Sequence, residues 1–182
     1  NARRCIENIL ASEHVVYGVN TGFGSLCNQI ISSGQVNKLQ TNILKSHSVG
    51  LGRPVSQCTA KLMLLLKIHS LARGNSGVRP ETLHRILWHL KNDIIPLVPR
   101  QGSVGASGDL APLAHLFLPL IGLGYVKYEG KVISGIQALK RFNMKPLQLG
   151  AKEGLALING TQFMAAYGVQ IESFQCLNTG NN

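Results

Sequence analysis

The run Leu62-Met63-Leu64-Leu65-Leu66 constrains this chain more than any other stretch, because in a helix it leaves no polar face to turn toward water. The helix that carries it, read from Ser56 to Arg73, therefore belongs inside a helical core, buried on nearly every side. Its neighbours read similarly. Residues 1–14 place Ile6, Ile9 and Leu10 at helical spacing, 36–49 follow as a second helix, and Pro80 with Glu81 opens another that runs to about Asn92. Proline in a first turn gives up no needed hydrogen bond there. Past Pro96 and Pro99, a largely apolar helix extends from Asp109 to about Gly122. Tyr125 to Ser134 alternates around Glu129-Gly130 like a short hairpin, 135–142 forms a small helix, and 153–175 a long last one. The polar end, 178–182, is expected to lack order. The fold class is mainly α, with loops and one short hairpin.

Composition narrows the partners. Apolar residues make up 45% of the 182-residue chain and charged ones only 14%, a thin polar cover that implies faces hidden against other subunits. A formal charge of +10 invites a nucleic-acid reading, but the 18 basic residues are scattered and aromatics are only 5%, so no nucleic-acid partner is expected. No run reaches the roughly 18 uncharged apolar residues that span a bilayer, and Asn1-Ala2-Arg3-Arg4 opens no signal peptide. A cytoplasmic protein without a membrane partner is the expectation. Cys5, Cys27, Cys58 and Cys176 stand far apart with no CxxC pair, which predicts reduced, mostly buried thiols and no zinc site. His69, His84, His89 and His115 lack carboxylate or thiol partners at ligand spacing, so no metal is expected and these histidines read as structural.

Two glycine-rich loops interrupt the helices. In Tyr17-Gly18-Val19-Asn20-Thr21-Gly22-Phe23-Gly24 three glycines forbid a stable helix and predict unusual dihedral angles. In Gly102-Ser103-Val104-Gly105-Ala106-Ser107-Gly108 every residue but Val104 is very small, and Asp109 follows as a helix cap. With no side chain beside it, the Gly108 nitrogen can approach the Ala106 carbonyl carbon and close a five-membered ring. Loss of water from the ring and of the Ser107 hydroxyl would leave a methylidene conjugated to a carbonyl, a strong electrophile. A plain turn, or a phosphate cradle of exposed N–H groups, accounts for such a loop equally well on composition. The glycine spacing is GxxGxxG, no Lys-Ser/Thr follows, and no strand clearly precedes the loop, so nucleotide binding is the weaker of these readings.

Gly102 to His115, reading GSVGASGDLAPLAH, resembles the signature of the histidine and phenylalanine/tyrosine ammonia-lyase family almost residue for residue. Tyr17 to Gly24 resembles the family's Tyr-Gly-x-Asn-Thr-Gly-Phe-Gly loop, and Lys152 to Gln162 its downstream Asn-Gly-Thr block, in the same order along the chain. The resemblance implies a 4-methylidene-imidazole-5-one group made autocatalytically from Ala106, Ser107 and Gly108, with no metal and no nucleotide. It implies elimination of ammonia by addition of the substrate amine to the methylidene carbon, with Tyr17 as the base that takes the β-proton. A phenol, ordinarily near pKa 10, needs neighbouring dipoles to act so. Asn159, read as lying on the last helix, would orient group and substrate; Asp109 would assist ring closure, though a simple cap explains it nearly as well. Gly24 and Gln162 are weaker members of the same blocks. Without the resemblance, Tyr17 reads as a packing aromatic and Asn159 as a surface residue.

Family members divide by the residues that meet the substrate side chain. Ser46-His47 resembles the histidine-selective pattern, since an imidazole needs hydrogen-bonding partners that an apolar pocket denies it. Ser46, His47 and Leu110 are thus the expected substrate-binding residues, L-histidine the expected substrate and trans-urocanate the product. A phenylalanine or tyrosine ammonia-lyase or aminomutase is the alternative within the family. The resemblance further implies a homotetramer and the start of the elongated helical bundle of the ammonia-lyase/fumarase-aspartase-like fold. Residues 1–182 would form a single partial domain, with 1–101 an N-terminal region carrying the tyrosine loop and 102–182 the prosthetic-group loop and the first part of the central bundle. Family members carry a C-terminal half that this sequence lacks, so an inactive fragment with a structural or binding role stays open.

Overall fold

The computed structural model describes residues 2–179 apart from 13, 25, 26, 28, 30, 106 and 107; the side chains of 33 and 174–179 are also outside the description. Its helices are α1 (Ala2–Ala11), α2 (Ser33–His47), α3 (Gln57–Ala72), α4 (Pro80–Lys91), α5 (Leu110–Phe117), α6 (Gly135–Arg141), α7 (Glu153–Ile158) and α8 (Gln162–Thr179). Five short strands lie between them: β1 (Leu51–Pro54), β2 (Ile95–Pro96), β3 (Pro99–Gln101), β4 (Tyr125–Tyr128) and β5 (Lys131–Ser134). The fold is mainly helical, as the sequence predicts.

α3 sits at the centre, packed on α4 and α8, while α5 packs on α2 and α7. Ser56 starts α3 by accepting the Thr59 N–H on its hydroxyl at 3.0 Å, which supplies one of the partners a first turn lacks. Met63, Leu64 and Leu71 are fully buried and join Ile43, Leu44, Ile86, Leu113, Phe117, Leu157 and Phe163 in the main core. A side chain of that size contributes about 1.5–3 kcal/mol when fully buried. The all-round burial expected of α3 is only partly met. Leu65 remains 52% exposed, whereas Lys67, the cation that follows the run, is 1% exposed. A second cluster of Ile6, Val19, Val36 and Ala151 ties α1, the first glycine loop and α2 together.

The Tyr125–Ser134 hairpin forms as predicted, with Tyr128 opposite Lys131, and gains β2 as an antiparallel third strand. β1 and β3 form a separate antiparallel pair. A strand therefore does precede the Gly102–Gly108 loop, contrary to expectation, although it is antiparallel and three residues long. The helix after Asp109 tightens into a 3-10 turn at Leu118–Ile121, and Gly122 ends it in the left-handed region at φ 79°. Further readings are corrected. The predicted helix 153–175 is broken at Asn159–Thr161, so Asn159 caps α7 with extended backbone rather than lying within a helix. The helix also continues to Thr179, beyond the point where order was expected to end. Cys5 and Cys58 are exposed and Cys27 half-buried, so these thiols are not core residues.

Candidate active site

Two glycine-containing turns meet where α5 and α8 begin. Gly108 has φ 110°, and a Cβ there would lie 3.1 Å from the Gly160 carbonyl oxygen and 3.8 Å from Asn159 Oδ1, so only glycine fits this approach. The Asp109 N–H donates to the same Gly160 oxygen at 2.8 Å, and the Gly108 N–H to Gly105 O at 3.0 Å. Ala106 and Ser107, both expected site residues, lie outside the described residues.

Asp109 does more than begin its own helix. Its side chain makes no cap bond to α5; one carboxylate oxygen accepts the Ser103 hydroxyl at 2.6 Å and the other the Met164 N–H at 3.0 Å. Met164 is the third residue of α8, so Asp109 caps that helix from across the chain, a favourable place for negative charge. This fully buried carboxylate binds both ends of the Gly102–Gly108 loop to the α7–α8 break. Gln162 folds back over Gly160, and its buried Oε1 has no hydrogen-bond partner.

At the other end of the break, Lys67 donates from Nζ to the Asn159 carbonyl at 2.7 Å. Burial pulls its pKa down to about 7. The start of α7 is held by Glu153, whose fully buried carboxylate accepts from Arg79 N, Nε and Nη2, from Thr82 Oγ1 and from Gly150 N. Burial alone would raise the Glu153 pKa, but the bonds from Arg79, Thr82 and the two backbone N–H groups outweigh it and hold it below the usual carboxylate value.

Tyr17 is 55% exposed, edge-on to Phe23 with ring centroids 6.3 Å apart, and its hydroxyl faces the Gly24 N–H at 3.5 Å. Its loop turns through Gly18 at φ 74°, where a Cβ would come within 2.6 Å of Leu155, so this loop lies directly on α7. His47 ends α2, with Nδ1 2.9 Å from the Ile43 carbonyl and 3.1 Å from Ser46 Oγ. A carbonyl oxygen only accepts, so Nδ1 carries the proton and Nε2 keeps a free lone pair in the neutral ring. Beyond His47, Gly50 donates to His115 Nε2 at 3.0 Å, and a Cβ on Gly102 would fall 3.1 Å from Gly50 Cα. Burial lowers the His115 pKa, which keeps that ring an acceptor. Leu110, the first residue of α5, is half-buried against the main core.

Gly108, Asp109, Asn159 and Gln162 are thus brought together. The Tyr17 loop packs on Leu155 of α7 and the segment after His47 packs on Gly102, and among the described residues no hydrogen bond joins Tyr17 or His47 to Gly108, Asp109 or Asn159. Sequence reasoning missed Lys67, Ser103 and the tie made by His115. Lys67 left one signal: a cation set directly between the apolar run Leu62–Leu66 and Ile68. Among the described residues no cluster of three or more His, Cys, Asp or Glu stands close enough to hold a metal ion. Nor is any described helix long and apolar enough to cross a membrane.

A helical core with two glycine turns locked face to face by a buried carboxylate sets the class, and the chain belongs to the aromatic amino acid lyase family, whose model matches residues 1–174. Within that family its curated relatives include histidine ammonia-lyases of Geobacillus sp. (strain WCH70), 49% identical over 170 residues, and of Vibrio cholerae, 48% identical over 165. The alignment covers 93% of this chain and 34% of the Geobacillus protein, so the chain spans about a third of the length of such relatives. Among solved structures it resembles the histidine ammonia-lyase of Trypanosoma cruzi at TM-score 0.83 and 40% identity, covering 93% of this chain and 33% of that one. The tyrosine aminomutase of Streptomyces globisporus matches at TM-score 0.83 and 38% identity, covering 92% and 31%.

Proposed function

We propose that this chain supplies part of the active site of a histidine ammonia-lyase, eliminating ammonia from L-histidine to give trans-urocanate. The observation that carries this reading is the seat of Gly108, which touches Gly160 so closely that a side chain is excluded, within a loop reading Ala106-Ser107-Gly108-Asp109. A 4-methylidene-imidazole-5-one fits this seat, because its closure needs an unencumbered nitrogen at Gly108 and small residues at 106 and 107. When present it supplies an electrophilic carbon that makes the amine a better leaving group.

The chain's own residues do the rest. Asp109, bonded to Ser103 and Met164, ties the start of the loop to α8, a position suited to assisting ring closure. Asn159 turns its side-chain amide toward Gly108, where it can orient the amino acid. Tyr17, exposed on a turn with Gly24 N–H facing its oxygen, is the group to accept the β-proton; that N–H steadies the phenolate it requires. His47 Nε2, left free by the bond at Nδ1, and Ser46 recognise the imidazole, with Leu110 against its ring. A homotetramer in the cytoplasm completes the reading. Association is supported by the low charged fraction and by Leu65, Met164, Val169 and Ile171, apolar and exposed on α3 and α8.

The test is the Ser107→Ala variant assayed for elimination from L-histidine. Without the hydroxyl no methylidene forms, so turnover should fall by several orders of magnitude. Retained turnover would overturn the mechanism.

A further inference from the structure

We propose that Lys67 is a positioning residue for the reactive loop: from inside the core its side-chain amine holds the Asn159 carbonyl and so fixes the α7–α8 break against Gly108. The inference rests on the reading of Ala106-Ser107-Gly108 as the site of the prosthetic group.

Lys67 leaves the middle of α3 and is 1% exposed, among the largest of the fully buried side chains described. No carboxylate lies within ion-pair distance of it among the described residues. Burying an amine among Met63, Leu64 and Leu71 without a counter-charge is costly, and a leucine there would extend the apolar run at no such cost. What the amine gains is one bond, to Asn159 O at 2.7 Å. In an unbroken helix that carbonyl would accept the N–H four residues on, at Phe163; the break at Asn159–Thr161 removes this donor. Lys67 replaces it from another helix.

The replacement reaches the loop in two steps. The peptide after Asn159 leads into Gly160, whose own carbonyl receives the Asp109 N–H and abuts Gly108. One residue pair, Asn159-Gly160, therefore has one carbonyl held by α3 and the next held by the loop. With the first released, the second has only Asp109 to define its place, and the amide of Asn159 loses its fixed direction toward Gly108. Among the described residues Lys67 makes no hydrogen bond to the loop itself.

The experiment compares the purified protein with Lys67→Met, which keeps the apolar stem, and Lys67→Arg, which keeps a donor. Hydrogen exchange is followed at the Asp109 and Met164 amides, with Ile86 of α4 as reference, together with the fraction of Gln101–Lys127 peptide lacking two waters. In Lys67→Met the two amides should exchange roughly tenfold faster while Ile86 is unmoved, the fraction of dehydrated peptide should fall, and Lys67→Arg should recover part of both. Unchanged exchange at Asp109 and Met164, or equal acceleration at Ile86, would overturn the inference. If Lys67→Met does not fold, Lys67→Arg decides: protected amides support the inference and exposed ones overturn it. A wild-type peptide of unmodified mass would refute the prosthetic-group reading alone, and the exchange result would still decide what Lys67 holds.

Discussion

His47 presents one ring nitrogen to the protein and keeps the other free, and replacing it tests substrate choice at a single atom. In His47→Leu the acceptor is gone and an apolar contact takes its place, so turnover of histidine should fall by roughly 10–100-fold relative to tyrosine in paired assays, the worth of one polar contact in a specificity pocket. An unchanged ratio would remove His47 from the substrate side. His89 tests stability instead. It is 1% exposed, and burial, with a smaller contribution from Arg85, lowers its pKa from 6.5 to about 4 despite the bond to the Ile94 carbonyl. Because the unfolded chain takes up this proton first, stability is full above pH 6.5 and declines as pH falls toward 4, by at most on the order of 3 kcal/mol at ~1.4 kcal/mol per pH unit. Glu153, whose folded pKa is lowered, adds to the loss as the pH falls from the ordinary carboxylate range through its folded value. The melting temperature should drop across this window, and His89→Gln should flatten its upper part; an unaltered slope would contradict the assignment.

At the scale of elements, α7 depends on a close approach. A Cβ on Gly154 would press on the Gln40 carbonyl and lie 2.8 Å from Ile43 Cγ2, both backbone or stiff side chain of α2. Gly154→Ala should therefore destabilise by about 1–3 kcal/mol in denaturant titration, although alanine is the better helix former. A neutral or stabilising result would mean that α2 and α7 are not in this contact. The same region shows where sequence reasoning runs out. α3, the hairpin and both glycine loops were legible because their patterns are local: apolar residues on one turn after another, alternation about Glu129-Gly130, glycines where φ turns positive. The α7–α8 break was not. Leu157, Ile158, Phe163 and Ala166 continue a helical apolar pattern across it, and one internal glycine costs a helix only about 1 kcal/mol. Only Asp109 and Lys67, 51 and 92 residues before their partners Gly160 and Asn159, make the break the better arrangement. β1, β2 and β3 escaped notice because they are two to four residues long and hold Pro54, Pro96 and Pro99.

At the scale of the molecule, the candidate site draws on places far apart in the sequence: a turn before α2, the end of α2, the middle of α3, the start of α5 and the α7–α8 break. Its candidate residues were legible through three motif blocks and the Ser46-His47 pair, while the interior supports that join them were not, since a buried lysine or a carboxylate capping a distant helix leaves no local pattern. The central claim is that this assembly turns its own backbone into an electrophile, and the most direct test is the mass of the Gln101–Lys127 peptide from purified protein. A deficit of two waters is expected, localised to Ala106-Ser107-Gly108 and absent from Ser107→Ala. An unmodified peptide from protein that turns over histidine would contradict it.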